Sequence, residues 1–550
     1  MLHRHVFVFL GVLTLILAAC TQAGPAASPP GPTQAGAEQP RSGGTLVFVV
    51  NAESGTFDGH RETTFALLHP IAPHYSTLYK WDPNDLTKPL PDVAAAMPEL
   101  SADKLTWTIK LRTDVKFHDG TALTSEDIVA TYNKIVFPPA SVISARQGAY
   151  AAVDKIEASG PSTVVFKLKY ATGSFQANLT SPWNFIYSAA KLKQDIKWYE
   201  KNVMGTGPFT YVSNVKGSEW VAKKNPDFYG KDKNGGKLPY LDGYKGLIIT
   251  DSTAGVNAIR SKQAMIEFRG FTPQQRDTLS SALGTQLAIQ EGPWVCVNYI
   301  VPNIKNAKFA DVRVRQALNL AIDRWTGGTQ LARQTIVKDV GGLMRPLGPF
   351  AMSDADLQKI QGFSKDGKAA KEQAKKLLAD AGASNLSFKF LNRNIDTPYT
   401  PVAVFLIDQW RQVGITATHE QKETAAYTAD RNNGNFEVVL DFNCDFLDEP
   451  DLQLAKFYSA TKLGRGLNYA GFDDADLDRM IDGQSRETDP EKRKKLVWDI
   501  EKYSMETKAY QYPVLWWYRI VPYLNIVRGW KIGSNHYYNQ QLETVWLAGT

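Results

Sequence analysis

A single apolar run, Val6 to Ala19, limits where the rest of this 550-residue chain can fold. It follows a short start carrying Arg4 and is shorter than the roughly 20 residues that an ordinary membrane-spanning helix needs. It fits the apolar core of a signal peptide, so residues 1–19 are expected to be a leader. No later stretch is long and apolar enough to span a bilayer. The remainder is therefore expected to fold as globular domains outside the cytoplasm.

The run ends in Leu17-Ala18-Ala19-Cys20. Small residues before a cysteine resemble a bacterial lipobox, in which Cys20 is acylated and becomes the new N-terminus. The alternative is an ordinary small-residue cleavage site with Cys20 incidental. Thr21 to Gly44 holds Pro25, Pro29, Pro30, Pro32 and Pro40 and no large apolar side chain, so 20–43 reads as a lipidated cysteine and flexible tether. In an oxidising compartment the remaining cysteines, Cys296 and Cys444, form a disulfide by default; two buried free thiols are the alternative. Closing so long a loop stabilises by about 5 kcal/mol in the chain-entropy model.

The composition, 43% hydrophobic and 21% charged, is that of a globular protein of two to four units. A net charge of +6, from 62 basic and 56 acidic side chains, is too weak over this length to imply nucleic acid or an anionic membrane surface as main partner. Three cysteines exclude a four-cysteine metal site.

Local patterns mix strands and helices. Thr45 to Val50 is β-rich, and Leu105, Trp107, Ile109 and Leu111 alternate with polar residues as in a half-buried strand. Asp119-Gly120 marks a turn, and Thr124 with Asp127 marks a helix N-terminus that continues to Pro138. Lys155 to Lys169 reads as a hairpin about Gly160-Pro161. Val312 to Arg324, Lys368 to Ala381 and Val402 to Val413 read as helices, the last two each followed by a glycine and a strand. The alternation indicates an α/β unit.

Enzyme signatures are missing. The chain has no Gly-x-Ser-x-Gly elbow, phosphate loop or dinucleotide fingerprint. His60, His69 and His74 lack a metal-ligand spacing and read as polar loop residues, so neither metal nor cofactor is expected. Asp441, Asp445, Asp448, Glu449 and Asp451 do not meet the calcium-loop spacing and read as a solvated loop or the rim of a binding site.

The stretch from Trp107 through Arg112, Lys116, Phe117, His118 and Asp119 to Gly120, followed by Leu123 to Asp127, resembles a signature of the family 5 extracellular solute-binding proteins of ABC importers. Further pieces fall in the family's order: Gly205 to Phe209, Asn225 to Tyr229, Val312 to Leu318 with Ala321 to Arg324, Glu449-Pro450, and Asp476 to Arg493. The resemblance implies an α/β, periplasmic-binding-protein-like fold of type II, cluster C, with two lobes, an extra inserted domain and a hinge. Domain I would combine 44–78, 204–293 and 517–550; domain II would be the insertion 79–203; domain III would be 294–516. Two chain crossings, near Trp294–Asn298 and Pro513–Trp517, would form the hinge. Oligopeptide receptors of the family carry a disulfide between positions similar to Cys296 and Cys444.

By the same resemblance, Glu62, Thr63, Thr64, Trp294, Asn298, Asn443, Asp445, Phe446, Trp516 and Trp517 are candidates to line the ligand site. Peptide-binding members place an aspartate three residues before the acidic-Pro pair, where it holds the peptide's α-ammonium. Here that position is Phe446, with Asp445 one place earlier and so on the opposite face of an extended segment. The resemblance implies a monomeric, non-enzymatic receptor anchored by lipid, passing a peptide-like or small-molecule ligand to an ABC permease with its ATPase subunits. Alternatives are the same receptor for a sugar, metal chelate or other organic solute, and, in another class, a secreted hydrolase or structural envelope lipoprotein.

Overall fold

The computed structural model describes residues 38–549 except 63, 83–84, 445–446, 464–467, 536–537 and 539. The leader, Cys20 and most of the tether lie outside the described residues. Among those described, no helix is long and apolar enough to cross a membrane.

Thr45–Val50 is the hub of a five-stranded sheet with the order Ile266–Glu267, Thr45–Val50, Gly243–Ile248, Glu219–Lys224, Phe209–Val215. Its β-branched and aromatic side chains suit a buried strand that runs parallel to both neighbours. Leu46, Phe48 and Val50 enter a core with Tyr244 and Phe268, whose rings lie 5.6 and 5.1 Å from Phe48.

The chain leaves this unit past His74 and Tyr75 and comes back beside them at Gly205 and Gly207. A Cβ at Gly205 would sit 2.2 Å from the His74 carbonyl oxygen, and one at Gly207 would sit 2.4 Å from the Tyr75 nitrogen. These glycines are required by close backbone approach, not by a left-handed φ. Between the crossings lies a four-stranded antiparallel sheet with the order Glu99–Leu100, Thr106–Lys110, Thr163–Leu168, Val153–Ala158. Helix Ser125–Val136 covers it, started by a reciprocal Thr124–Asp127 capping box. Ile128, Tyr132 and Ile135 pack against Ile109, Val164 and Phe166.

A six-stranded mixed sheet follows the order Val337–Asp339, Tyr512–Leu524, Leu287–Pro302, Val438–Cys444, Ser387–Arg393, Thr416–Lys422. Helix Tyr399–Arg411 makes the crossover from Ser387–Arg393 to the parallel edge strand Thr416–Lys422, placing Trp410 against Phe388 and Phe390. The helix expected over Val312–Arg324 is two helices, Val312–Leu320 and Arg324–Leu331. Asp323 ends the first pattern because its carboxylate accepts from the Thr326 backbone N–H and caps the second helix.

Leu287–Pro302 and Tyr512–Leu524 are long enough to serve both large sheets. Their outer halves pair from Leu287 with Leu524 to Pro293 with Tyr518, and there the Leu524 N–H donates to the Met265 carbonyl and the Ile520 carbonyl accepts from the Phe271 N–H, tying the strands to the Thr45 unit. The register then slips, and pairing resumes at Val297 with Trp516. This irregularity lies where the two strands pass from one sheet to the other, and it locally breaks the ladder.

Candidate functional site

The slipped register gathers an aromatic band. Trp294 meets Trp517 edge to face at 5.4 Å, and the Trp517 Nε1–H donates to Asn298 Oδ1 at 2.8 Å. Tyr399, at the start of its helix, lies 6.0 Å from Trp517 and 5.8 Å from Phe442. Arg393, from the neighbouring strand, donates to the Tyr399 hydroxyl at 3.0 Å and lies 5.3 Å from the Phe442 ring. On the other side, the Arg269 guanidinium sits 4.9 Å from Phe65 and 5.9 Å from Trp294. Arg519 approaches Trp294 at 5.8 Å, but its N–H groups are taken by the carbonyls of Phe268, Arg269 and Gly533.

Two features of this band are chemically open. Asn298 is fully buried, yet its Nδ2 has no partner among the described residues. A buried amide donor without an acceptor costs about 1–3 kcal/mol, so this N–H is open to an added acceptor. The second is the electrostatics of Tyr399. Burial pushes its phenol up to about 12, opposed by Arg393 and by Arg269.

Trp294, Asn298 and Trp517 come together. Trp516 does not join them: it is buried on the other face of its strand and donates to the Gly342 carbonyl at 3.0 Å. Asn443 sits behind the band and donates to Gln453 Oε1 at 2.9 Å. Cys296 and Cys444 are directly opposed across antiparallel strands and are bonded as a disulfide. Glu62 accepts from Ser54 and from the Thr64 backbone. Thr64, exposed, precedes the helix begun by Phe65 and so lies next to the Arg269 contact. Thr63, Asp445 and Phe446 lie outside the described residues. Sequence reasoning missed Phe65, Arg269, Arg393, Tyr399 and Phe442. They come from separate elements, and the sole local hint was an arginine beside a glycine at 269–270.

Of the three histidines read as polar loop residues, only His60 lies in a turn. All are buried, because His69 and His74 fall in helical turns under the Thr45 sheet and His60 stacks on Tyr187 at 4.1 Å. His74 bonds the Phe209 carbonyl through Nδ1, while Trp220 and Tyr244 contact its Nε2. Burial pushes His60 and His74 down to about 3. No group of three His, Cys, Asp or Glu side chains is set to hold a metal among the described residues.

The described acids of the 441–451 segment are also not a solvated face. Asp441 is fully buried between Arg431, at 2.8 Å, and Lys456. Burial alone would raise its carboxyl, but Lys456 and Arg431 hold it below its ordinary value. Asp448 pairs with Arg345, and Glu449 takes a two-pronged contact from buried Arg493. Asp451 accepts from Gln484 and Ser485.

Comparison with known proteins gives this architecture its family. The model of the bacterial extracellular solute-binding proteins, family 5, matches residues 88–465. The chain belongs to this family. It is a solute-binding protein and not an enzyme. The oligopeptide-binding protein AppA of Bacillus subtilis is 26% identical over 526 residues, covering 90% of this chain and 88% of its own length. The solved periplasmic binding protein DppA of Helicobacter pylori, in complex with the peptide STSA, superposes with TM-score 0.76 at 22% identity, over 92% of this chain and 98% of that one. AgaA of A. tumefaciens R10, in complex with agropinic acid, gives TM-score 0.75 at 21% identity, over 92% and 99%. The fold is the α/β periplasmic-binding-protein fold of the cluster C type.

Proposed function

We propose that this chain is the receptor of an ABC importer, capturing a peptide-like solute between two lobes and delivering it to a permease with its ATPase subunits. The carrying observation is the strand crossing itself. A register break in two shared strands coincides with an aromatic band whose innermost amide, Asn298 Nδ2, is buried and unsatisfied. Apolar walls with a few placed polar groups are what solute sites normally present. In this reading 44–78, 204–293 and 517–550 form domain I, 79–203 the inserted domain II, and 294–516 domain III. Lobes closing about the crossing would both touch ligand only when shut, so binding shifts the population toward closure. The mature chain works as a monomer, held at the outer face of a membrane by acylated Cys20. The AppA and DppA relatives support a peptide as the solute.

A second reading keeps the receptor and changes the solute. Phe446 stands where peptide receptors of the family carry the aspartate that holds the α-ammonium. The agropinic acid complex of AgaA supports a non-peptide organic solute equally well on fold grounds. A thermal-shift screen decides between them. A ligand at 100 times its dissociation constant adds about 2.7 kcal/mol. Stabilisation by free peptides of two to nine residues supports the first reading; stabilisation confined to non-peptide solutes supports the second. Asp445→Asn tests the anchoring directly, with over a hundredfold loss if Asp445 pairs with a buried ammonium.

A further inference from the structure

We infer that Arg269 reads a carboxylate on the bound solute. The inference rests on the aromatic band being the solute site and adds the chemistry that site selects. Arg269 is half-buried, its guanidinium flanked by the Phe65 and Trp294 rings, and it donates no side-chain hydrogen bond to any described residue. Four buried arginines behave differently. Arg315 and Arg519 spend their N–H groups on backbone carbonyls, Arg324 on backbone carbonyls and Asn319 Oδ1, and Arg493 on Glu449 and Gln484.

The acid that faces this charge already has other partners. Glu267 is buried and its two oxygens accept from the Arg269 and Gly270 backbone N–H groups. It is also shared electrostatically between Arg269 and Arg519, so one carboxylate faces two cations. Across the band stands Arg393, whose Nε is buried and has no partner among the described residues. Asp441, which acts on the same Tyr399 ring, is already held by Arg431 and Lys456. A guanidinium with its faces on aromatic rings and its edge free presents a planar fork matched to a carboxylate. Buried Asn298 Nδ2 offers a further donor to an oxygen-rich ligand in the same band.

Isothermal titration of the mature chain with matched ligand pairs tests this. The pairs are tetra-alanine and its C-terminal amide, glucuronate and glucose, and succinate and succinamide. In the wild type the carboxylate member of at least one pair is expected to bind about tenfold or more tightly than its neutral partner. Arg269→Gln should erase that ratio while leaving the unliganded unfolding temperature near the wild-type value. Arg269→Lys, which keeps the charge and loses the fork, should retain part of it. A purely structural staple between Phe65 and Trp294 would change overall stability and leave the acid-to-amide ratio intact. Peptide acid and amide binding alike would overturn Arg269 as the reader while sparing the peptide reading. Preference confined to glucuronate or succinate would sink the peptide reading while sustaining Arg269. If Arg269→Gln does not fold, an undiminished ratio in Arg269→Lys overturns the role of the fork. Failure of all three carboxylates to bind the wild type counts against the inference too.

Discussion

The acidic stretch from Asp441 to Asp451 and the band around Arg269 both bury polar and charged groups and treat them in opposite ways. In the first, every described carboxylate has found a partner: Asp441 with Arg431 and Lys456, Asp448 with Arg345, Glu449 with Arg493. In the second, Asn298 Nδ2, Arg393 Nε and the Arg269 guanidinium are left without hydrogen-bond acceptors among the described residues. The disulfide Cys296–Cys444 joins the two regions directly. Charge that is buried and paired holds the fold together. Polar groups buried and unpaired cost stability, and at the strand crossing they are the groups that the proposed solute would satisfy.

Breaking the paired side should have the largest effect. Glu449→Gln leaves the Arg493 guanidinium buried beside a neutral amide. Removing one partner of such a pair costs about 3–5 kcal/mol. Urea unfolding should show that loss, and a change under about 1 kcal/mol would mean that Asp451 and Gln484 alone satisfy Arg493.

The fold was legible where local chemistry decides it. The Thr124–Asp127 box, the Gly160 hairpin and the glycines after helices Gly367–Asp380 and Tyr399–Arg411 act over a few residues. The helix from Val312 was overextended because apolar spacing continues through Ile322, while the capping strength of Asp323 outweighs it. The histidines and the acidic segment were misread for another reason. Their burial depends on partners over a hundred residues away, such as His74 with Trp220 and Asp448 with Arg345, which no local pattern carries. Trp294, Asn298 and Trp517 were proposed through family resemblance and are found together; Arg269 and Tyr399 join them only through contacts.

Next in size is the link between the two regions. Reduction, or Cys296→Ser with Cys444→Ser, should cost about 2–5 kcal/mol by freeing the unfolded chain. Non-reducing peptide mapping of exported protein should recover the Cys296–Cys444 linkage. Ready alkylation of both thiols without reductant would remove the bridge from the account.

A pH series sharpens the comparison, because paired and unpaired buried groups titrate differently. His60 and His74 sit near 3 when folded and near 6.5 when unfolded, so the unfolded chain binds more protons between those values. Stability should therefore fall as pH drops from about 6.5 toward 3. Glu501 is fully buried, accepts from the Met344 N–H, and has no partner on Oε2 among the described residues; burial pushes it up to about 8. Its folded form keeps a proton that the unfolded form loses above about 4.5, so its contribution falls as pH rises toward 8. Glu501→Gln should flatten the alkaline limb by a few kcal/mol at pH 8. Parallel stability profiles for the variant and wild type would show that Glu501 does not set that limb.

The smallest expected stability effects, and the sharpest contrast, come from the adjacent tryptophans. Trp516 and Trp517 differ by one residue and therefore by one face of the strand. Trp516→Phe removes the donor to the Gly342 carbonyl inside the domain core and should cost about 1 kcal/mol without touching ligand binding. Trp517→Phe removes the donor to Asn298 Oδ1 and part of the wall shared with Trp294 and Tyr399. Its stability loss should be similar, but it should also weaken whichever solute the thermal screen identifies, by tenfold or so, because the amide proposed to meet the solute is no longer held in place. Titration of both variants separates the faces. Equal affinity losses would mean that the core behind Gly342 shapes the site as strongly as the band does. No loss in either would move the solute away from the strand crossing altogether.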